Sequence, residues 1–285
     1  TVKIITCAAL LLAACGGTQP PKEEAKAPET RTEVKHGAEI ALLKPDSKAG
    51  MTVNEALENR RSWREYAPEA LSLEELSGVM WAEGGVNRPA DGRLTAPSAL
   101  ALYPVRVYAF FAEGVYSYDA KARKLVRVAE GDLRRLAGAQ DFVYAAPLNL
   151  VYIADMSVYE GKSIPAEHVR YLCGQDAAGY AENVNLYTAG HGLKSITRGS
   201  APEAELLKAL GLDPKRYFMA LAQTVGKRPG GETRIGGAAL NRSFFISMGP
   251  GQSVFAGEEF FFTGWSAGLR ISGFFVTFVF EIKTA

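Results

Sequence analysis

"PVRVYAFFAEGVYSYD", residues 104–119, decides the fold class. Two runs rich in Val, Tyr and Phe flank a short Ala-Glu-Gly break, the pattern of two antiparallel strands joined by a tight turn. Working outward, "KLVRVA" (124–129) reads as a third strand. "APLNLVYIAD" (146–155) is a nearly continuous apolar run, as a central strand covered on both faces would be. "LKSIT" (193–197) and "RYFMALAQTVG" (216–226) supply two later strands.

Helix signals lie between them. "TVNEALENRR" opens with Thr52 and has Glu55 three residues on, a capping box, with Val53, Ala56 and Leu57 as its apolar face. "SLEELSGVMWAEGG" repeats the device with Ser72 and Glu75. Leu73, Leu76, Val79 and Met80 line one side, and Gly84–Gly85 stops the helix. "SAPEAELLKALG" reads the same way, from Ser200 and Glu203 to a stop at Gly211. A long helix runs from about Pro165 to His191, where the imidazole complements the negative end of the helix dipole. Mixed helices and strands with a hairpin predict an α+β fold, a sheet packed by helices.

The two ends differ from this body. "TVKIITCAALLLAAC" (1–15) has one lysine before an apolar run that closes on small residues, the pattern of a bacterial export signal. The run is too short for a stable membrane span. "LAAC" (12–15) resembles the lipobox of bacterial lipoproteins. That resemblance implies a signal peptide over 1–14, acylation of Cys15 and a place in the cell envelope, anchored to the membrane by lipid. Residues 16–35, rich in Gly, Pro, Glu and Lys, cannot bury enough apolar surface to order themselves, so 15–50 is expected to be a flexible tether. Cys7 leaves with the signal, so Cys173 stands alone as a small buried apolar residue. At the other end, 229–285 is rich in Gly and Phe. Its apolar part, 260–280, reads as a strand pair, a membrane-contacting segment or a reading-frame artefact.

A net charge of +1 argues against nucleic acid as a partner. There is no dinucleotide-binding glycine fingerprint, no P-loop and no nucleophile elbow, and the three histidines are too scattered for a metal site. What stands out is "NRRSWREY" (59–66), where Arg60, Arg61 and Arg64 crowd around Ser62. Such charges repel. Either they form a solvated helix end, or an anion sits between them. Arginine forks onto phosphate oxygens with charge-assisted hydrogen bonds.

Several fragments occur in a telling order: "RRSWREY", "LSLEELSGVMWAEGGVNR", "TAPSALALYPVRVY", "GVYSYD", "AAPLNLVYIAD", "DAAGYAENVNLYTAGHGLKSI" and "VGK". Over about 51–227 this order resembles the nitroreductase superfamily of flavin enzymes, nearest to the azoline dehydrogenases of thiazole and oxazole peptide maturation. The resemblance implies an FMN-binding domain over 51–228, with a mixed, mainly antiparallel sheet packed by helices, in an intertwined homodimer. It implies that Arg60, Ser62 and Arg64, with Arg61 beside them, grip the flavin phosphate and ribityl chain. Pro97 and Ser98 match the segment near the flavin ring. Leu100 departs from it, because relatives usually carry glycine there, so its bulk narrows the site or alters stacking. Thr197, Arg198 and Gly199 match the loop whose backbone N–H meets flavin N5. Lys227 and Arg228 match a closing basic element that reaches the phosphate. Tyr103 is the candidate catalytic base, with a packing role as its alternative. The implied chemistry is hydride transfer through flavin N5 on a small-molecule or peptide substrate. Three versions stay open: a dehydrogenase, an NAD(P)H-dependent nitro or quinone reductase, and a non-catalytic redox carrier.

Overall fold

The computed structural model describes residues 32–230 and, beyond them, the backbone of five short strands between 247 and 278. The signal segment 1–14 and the acylation candidate Cys15 lie outside the described residues.

In chain order the body runs β1 (Glu39–Ala41), α1 (Val53–Asn59), α2 (Leu73–Gly84), β2 (Val86–Arg88), β3 (Arg93–Leu94), β4 (Val105–Phe111), β5 (Gly114–Asp119), β6 (Lys124–Glu130), α3 (Asp141–Ala145), β7 (Leu148–Asp155), α4 (Ala166–Gly190), β8 (Lys194–Arg198), α5 (Glu203–Ala209) and β9 (Tyr217–Gly226). One seven-stranded sheet has the order β1-β6-β5-β4-β7-β9-β8. Every ladder in it is antiparallel. The expected α+β class and the hairpin at 104–119 are both present.

The central strand shows why this sequence makes this sheet. All of β7 is buried. Side chains alternate across a strand, so Leu148, Leu150 and Tyr152 join one core while Val151 and Ile153 join another. The first core contains Leu76, Val79 and Met80 of α2 and Ala177, Tyr180 and Val184 of α4. The second contains Val143 of α3 and Leu206 and Leu207 of α5. Helices on both faces therefore explain the nearly continuous apolar run at 148–154, interrupted only by Asn149.

Two of the three expected capping boxes, Thr52 with Glu55 and Ser72 with Glu75, are formed. His191 caps α4, its Nδ1 2.8 Å from the Tyr187 carbonyl and its ring stacked on Tyr187 at 3.8 Å. Cys173 is buried, and burial pushes its thiol up to about 11, away from any nucleophilic form.

Three expectations need correction. Ser200 does not cap α5, which starts after Pro202; the residue before a proline is driven out of helical conformation, so the helix cannot begin earlier. The apolar face of α1 is not buried as a face, because Val53 is 67% and Leu57 53% exposed. This two-turn helix touches α4 through Ala56, the one buried residue in it. Finally, part of the segment read as tether packs. Val34 and Ile40 enter the core, and Glu39–Ala41 pairs with β6 as the outermost strand, giving the β6 edge a partner.

Beyond residue 230, β10 (Ser247–Met248) pairs with β11 (Gln252–Ser253). In the region 260–280, β12 (Phe261–Thr263), β13 (Ser266–Ile271) and β14 (Phe274–Phe278) form an antiparallel sheet of their own. Among the described residues no helix is long and apolar enough to cross a membrane.

Candidate cofactor site

The arginine cluster begins where α1 ends. Arg60 is the C-cap, its N–H donating to the Ala56 carbonyl at 2.8 Å, in extended conformation that turns the chain away from the helix. The next residues run beside β8. Ser62 bridges Ser195 in parallel fashion, and the Trp63 N–H donates to the Ser195 carbonyl at 3.1 Å. This pairing fixes Trp63 against three cations. The Lys194 ammonium lies 4.8 Å from its ring centroid, and the guanidinium carbons of Arg61 and Arg228 lie 5.9 and 5.7 Å away. Each is within cation–π range. Arg60 and Arg64 are exposed close by in the chain.

The electrostatics of this corner are one-sided. Burial pushes the Lys194 ammonium below its ordinary value, and the charges of Arg228 and Arg61 push it the same way. Among the described residues, none of Arg60, Arg61, Arg64, Lys194 and Arg228 is ion-paired with a carboxylate. Lys227 is different. It is turned inward, its Nζ donating to the Ala70 carbonyl at 3.0 Å and lying 3.2 Å from the Glu75 carboxylate. Lys227, expected to reach a phosphate, is thus matched by Glu75 in this structure.

Strand β8 is held in place from α4. The Asn185 Oδ1 accepts from Gln223 Nε2 at 2.7 Å and from the Ser195 hydroxyl at 3.0 Å, while its Nδ2 donates to Thr197 Oγ1 at 3.2 Å. At the end of β8 the Arg198 side chain points into the protein. It donates to the Ala137 carbonyl at 2.6 Å and to Thr224 Oγ1 at 3.0 Å, and its Nε finds no partner. Burial lowers its guanidinium to about 10. What the 197–199 loop offers a ligand is therefore its backbone and the exposed Gly199, not the Arg198 side chain.

The segment 97–103 forms a second group. The buried Asp176 of α4 accepts the Ser98 hydroxyl at 2.6 Å and the Ala99 N–H at 3.0 Å. Ser98 Oγ in turn accepts the Tyr103 N–H at 2.8 Å. Pro97 lies against Gly179 on the same helix. Within this knot Leu100, Ala101 and Tyr103 all have positive φ, of 55°, 55° and 50°. Left-handed backbone disfavours any side chain, which is a physical reason for glycine at the Leu100 position. Leu100 is 66% exposed.

Asp176 and Asn185 are nine residues apart on one helix, about 14 Å along its axis at 1.5 Å per residue. One helix thus anchors both groups. No hydrogen bond or ring contact joins them directly among the described residues. Sequence reasoning missed Trp63, Lys194, Asp176 and Asn185. A Trp inside an arginine run was the visible signal for the first.

A family model for nitroreductases matches residues 57–227. The chain belongs to the nitroreductase family. A crystallised nitroreductase-family protein from Ralstonia eutropha JMP134 is 33% identical, with 70% of this chain and 95% of that one covered, at a TM-score of 0.64. A protein of Methanocaldococcus jannaschii carrying the nitroreductase name is 28% identical over 190 residues, 62% of this chain and 91% of that protein. The Escherichia coli microcin synthetase complex, crystallised with a truncated pro-microcin bound, shares the fold at 18% identity and a TM-score of 0.51, with 66% of this chain and 77% of that one covered.

Proposed function

We propose that this nitroreductase-family chain is an FMN-dependent oxidoreductase of the azoline-dehydrogenase-like kind, acting on an organic or peptide substrate. One observation carries the cofactor reading. Three cations, Arg61, Lys194 and Arg228, gather around Trp63, with Arg60 and Arg64 exposed beside it in the chain, and none of the five is paired to a carboxylate among the described residues. A phosphate monoester carries nearly two negative charges, and such a group would offset the repulsion from Arg228 and Arg61 that adds to burial in lowering Lys194. The residues therefore fit a phosphate-bearing cofactor.

In this reading Arg60, Arg61, Arg64, Lys194 and Arg228 hold the phosphate, with Ser62 donating a hydroxyl. The Thr197–Gly199 backbone would orient the ring, and Asp176 holds the shape of the Pro97–Tyr103 segment, which would lie near it. FMN, when bound, supplies a two-electron acceptor at N5, and the protein supplies placement and exclusion of water. Tyr103, in that same segment, would take a proton from substrate. The exposed Val53 and Leu57 support a homodimer in which a second copy covers α1 and completes the site. The signal at 1–14 and Cys15 support an envelope location on a lipid anchor. That address favours a substrate serving as its own electron source, because NAD(P)H is a cytoplasmic donor.

The test is an absorption spectrum of the protein supplied with FMN, then anaerobic mixing with NADH or NADPH. A bound yellow chromophore that neither nucleotide bleaches is expected. Colourless protein refutes the cofactor assignment, and rapid bleaching refutes the dehydrogenase assignment.

A further inference from the structure

A cavity of about 800 Å³ lies outside the residues assigned to the cofactor. Three parts of the chain wall it: the 44–47 segment that follows β1, the end of α2 with the β2–β3 hairpin, and the turn between β5 and β6. Its size suits a small organic molecule. It shares no residue with the Trp63 cation corner or the 97–103 segment.

The lining has a definite chemical character. Lys44, Lys121 and Arg123 bring three positive charges, and Trp81 and Val86 bring apolar surface with Asn87 beside them. No acidic residue lines it. The neighbouring carboxylates are engaged elsewhere. Asp119 accepts the Ala122 N–H at 2.9 Å, Asp46 accepts the Lys48 N–H at 2.9 Å, and Asp91 lies 3.3 Å from Arg93. Among the described residues none of the three lining cations is ion-paired.

Arg123 adds an independent observation. Its φ is +50°, a conformation that suits glycine or asparagine. Its carbonyl accepts the Leu42 N–H at 2.9 Å, tying the 44–47 wall to the turn. A glycine would make the same turn without strain, but it would leave the cavity one charge short.

We propose that this cavity binds an organic phosphate carrying a planar ring. Lys44, Lys121 and Arg123 take the phosphate, and Trp81 packs against the ring. The site serves a molecule other than the FMN held at the Trp63 corner.

Calorimetric titration of the full chain, saturated with FMN, with phenyl phosphate tests this. One saturable site is expected. Phenol alone and inorganic phosphate alone should each bind roughly tenfold more weakly or worse, since each supplies half of the recognition. Arg123→Gly is the informative variant, because it suits the local backbone and will not fail by misfolding. It should melt at a higher temperature, keep its FMN, and lose affinity for phenyl phosphate roughly tenfold, the loss of one charge-assisted contact. Absence of saturable binding overturns the proposal. So does binding that survives Arg123→Gly unchanged, which would locate the ligand at the other cation corner.

Discussion

Replacing Glu83 by methionine should stabilise the protein, and more so the higher the pH. Glu83 lies on α2 and is wholly buried, and neither carboxyl oxygen has a hydrogen-bond partner. Burial raises its carboxyl well above the ordinary 4.5. Tyr118, Tyr152 and Tyr180 sit near enough to feel its charge. The folded protein therefore keeps this proton where the unfolded chain releases it. Above about pH 4.5 the unfolded state binds fewer protons than the folded state, so stability falls as pH rises until the folded carboxyl ionises. A single proton gives a limiting slope of about 1.4 kcal/mol per pH unit. Methionine fills similar volume without a charge or an unmatched polar atom. Below the window, Glu83→Met should gain about 1–3 kcal/mol, the desolvation cost of an unpaired polar group. Within the window the advantage should widen by about 1.4 kcal/mol for each pH unit. Urea unfolding of both proteins at about pH 5, 6 and 7 would measure it. A difference that stays constant with pH would show that Glu83 does not hold its proton in the folded state.

The remaining expectations concern the site. Arg60→Ala with Arg64→Ala should weaken FMN binding roughly a hundredfold, because two charge-assisted contacts are lost; fluorescence titration of FMN measures it. Lys194→Gln should weaken it roughly tenfold. In the wild type, FMN affinity should fall as pH rises through the lowered Lys194 value, and the variant's pH profile should lack that fall. Leu100→Gly should raise stability by about 0.5–1 kcal/mol, since relief of left-handed strain exceeds the added unfolded-state entropy; a thermal melt measures it. Asp176→Ala should destabilise the 98–103 segment by about 2–3 kcal/mol and lower turnover, as two hydrogen bonds to a buried carboxylate vanish.

Most of the sheet was legible because burial on both faces writes itself as a nearly continuous apolar run, as in 148–154. The hairpin and two capping boxes were legible for equally local reasons. What was not legible depended on partners far away in sequence. Glu39–Ala41 has no strong strand signal of its own, and only pairing with β6 makes it a strand. Nothing local distinguishes Val53 and Leu57 from a buried helix face; the short length of α1 and its approach through Ala56 leave them outside. In the site, the arginine run was readable as an anion-binding element, yet Lys194 was invisible because β8 brings it to Trp63 from over a hundred residues away. Lys227 and Arg228 look equivalent in sequence. Glu75 takes up the first, and only the second reaches Trp63.

The first turn of α2 has a mechanical meaning. The Leu73 N–H donates to the Thr32 carbonyl at 2.8 Å, and Glu75 lies 3.2 Å from the Lys227 ammonium. Both boundaries of the folded body are thus clasped by one helical turn. Tension applied through residues upstream of Thr32 and downstream of Lys227 would load that clasp together with the end of β9. Joining the two boundaries by a short linker and reopening the chain at an exposed turn such as 120–123 would make a circular permutant with the same sheet.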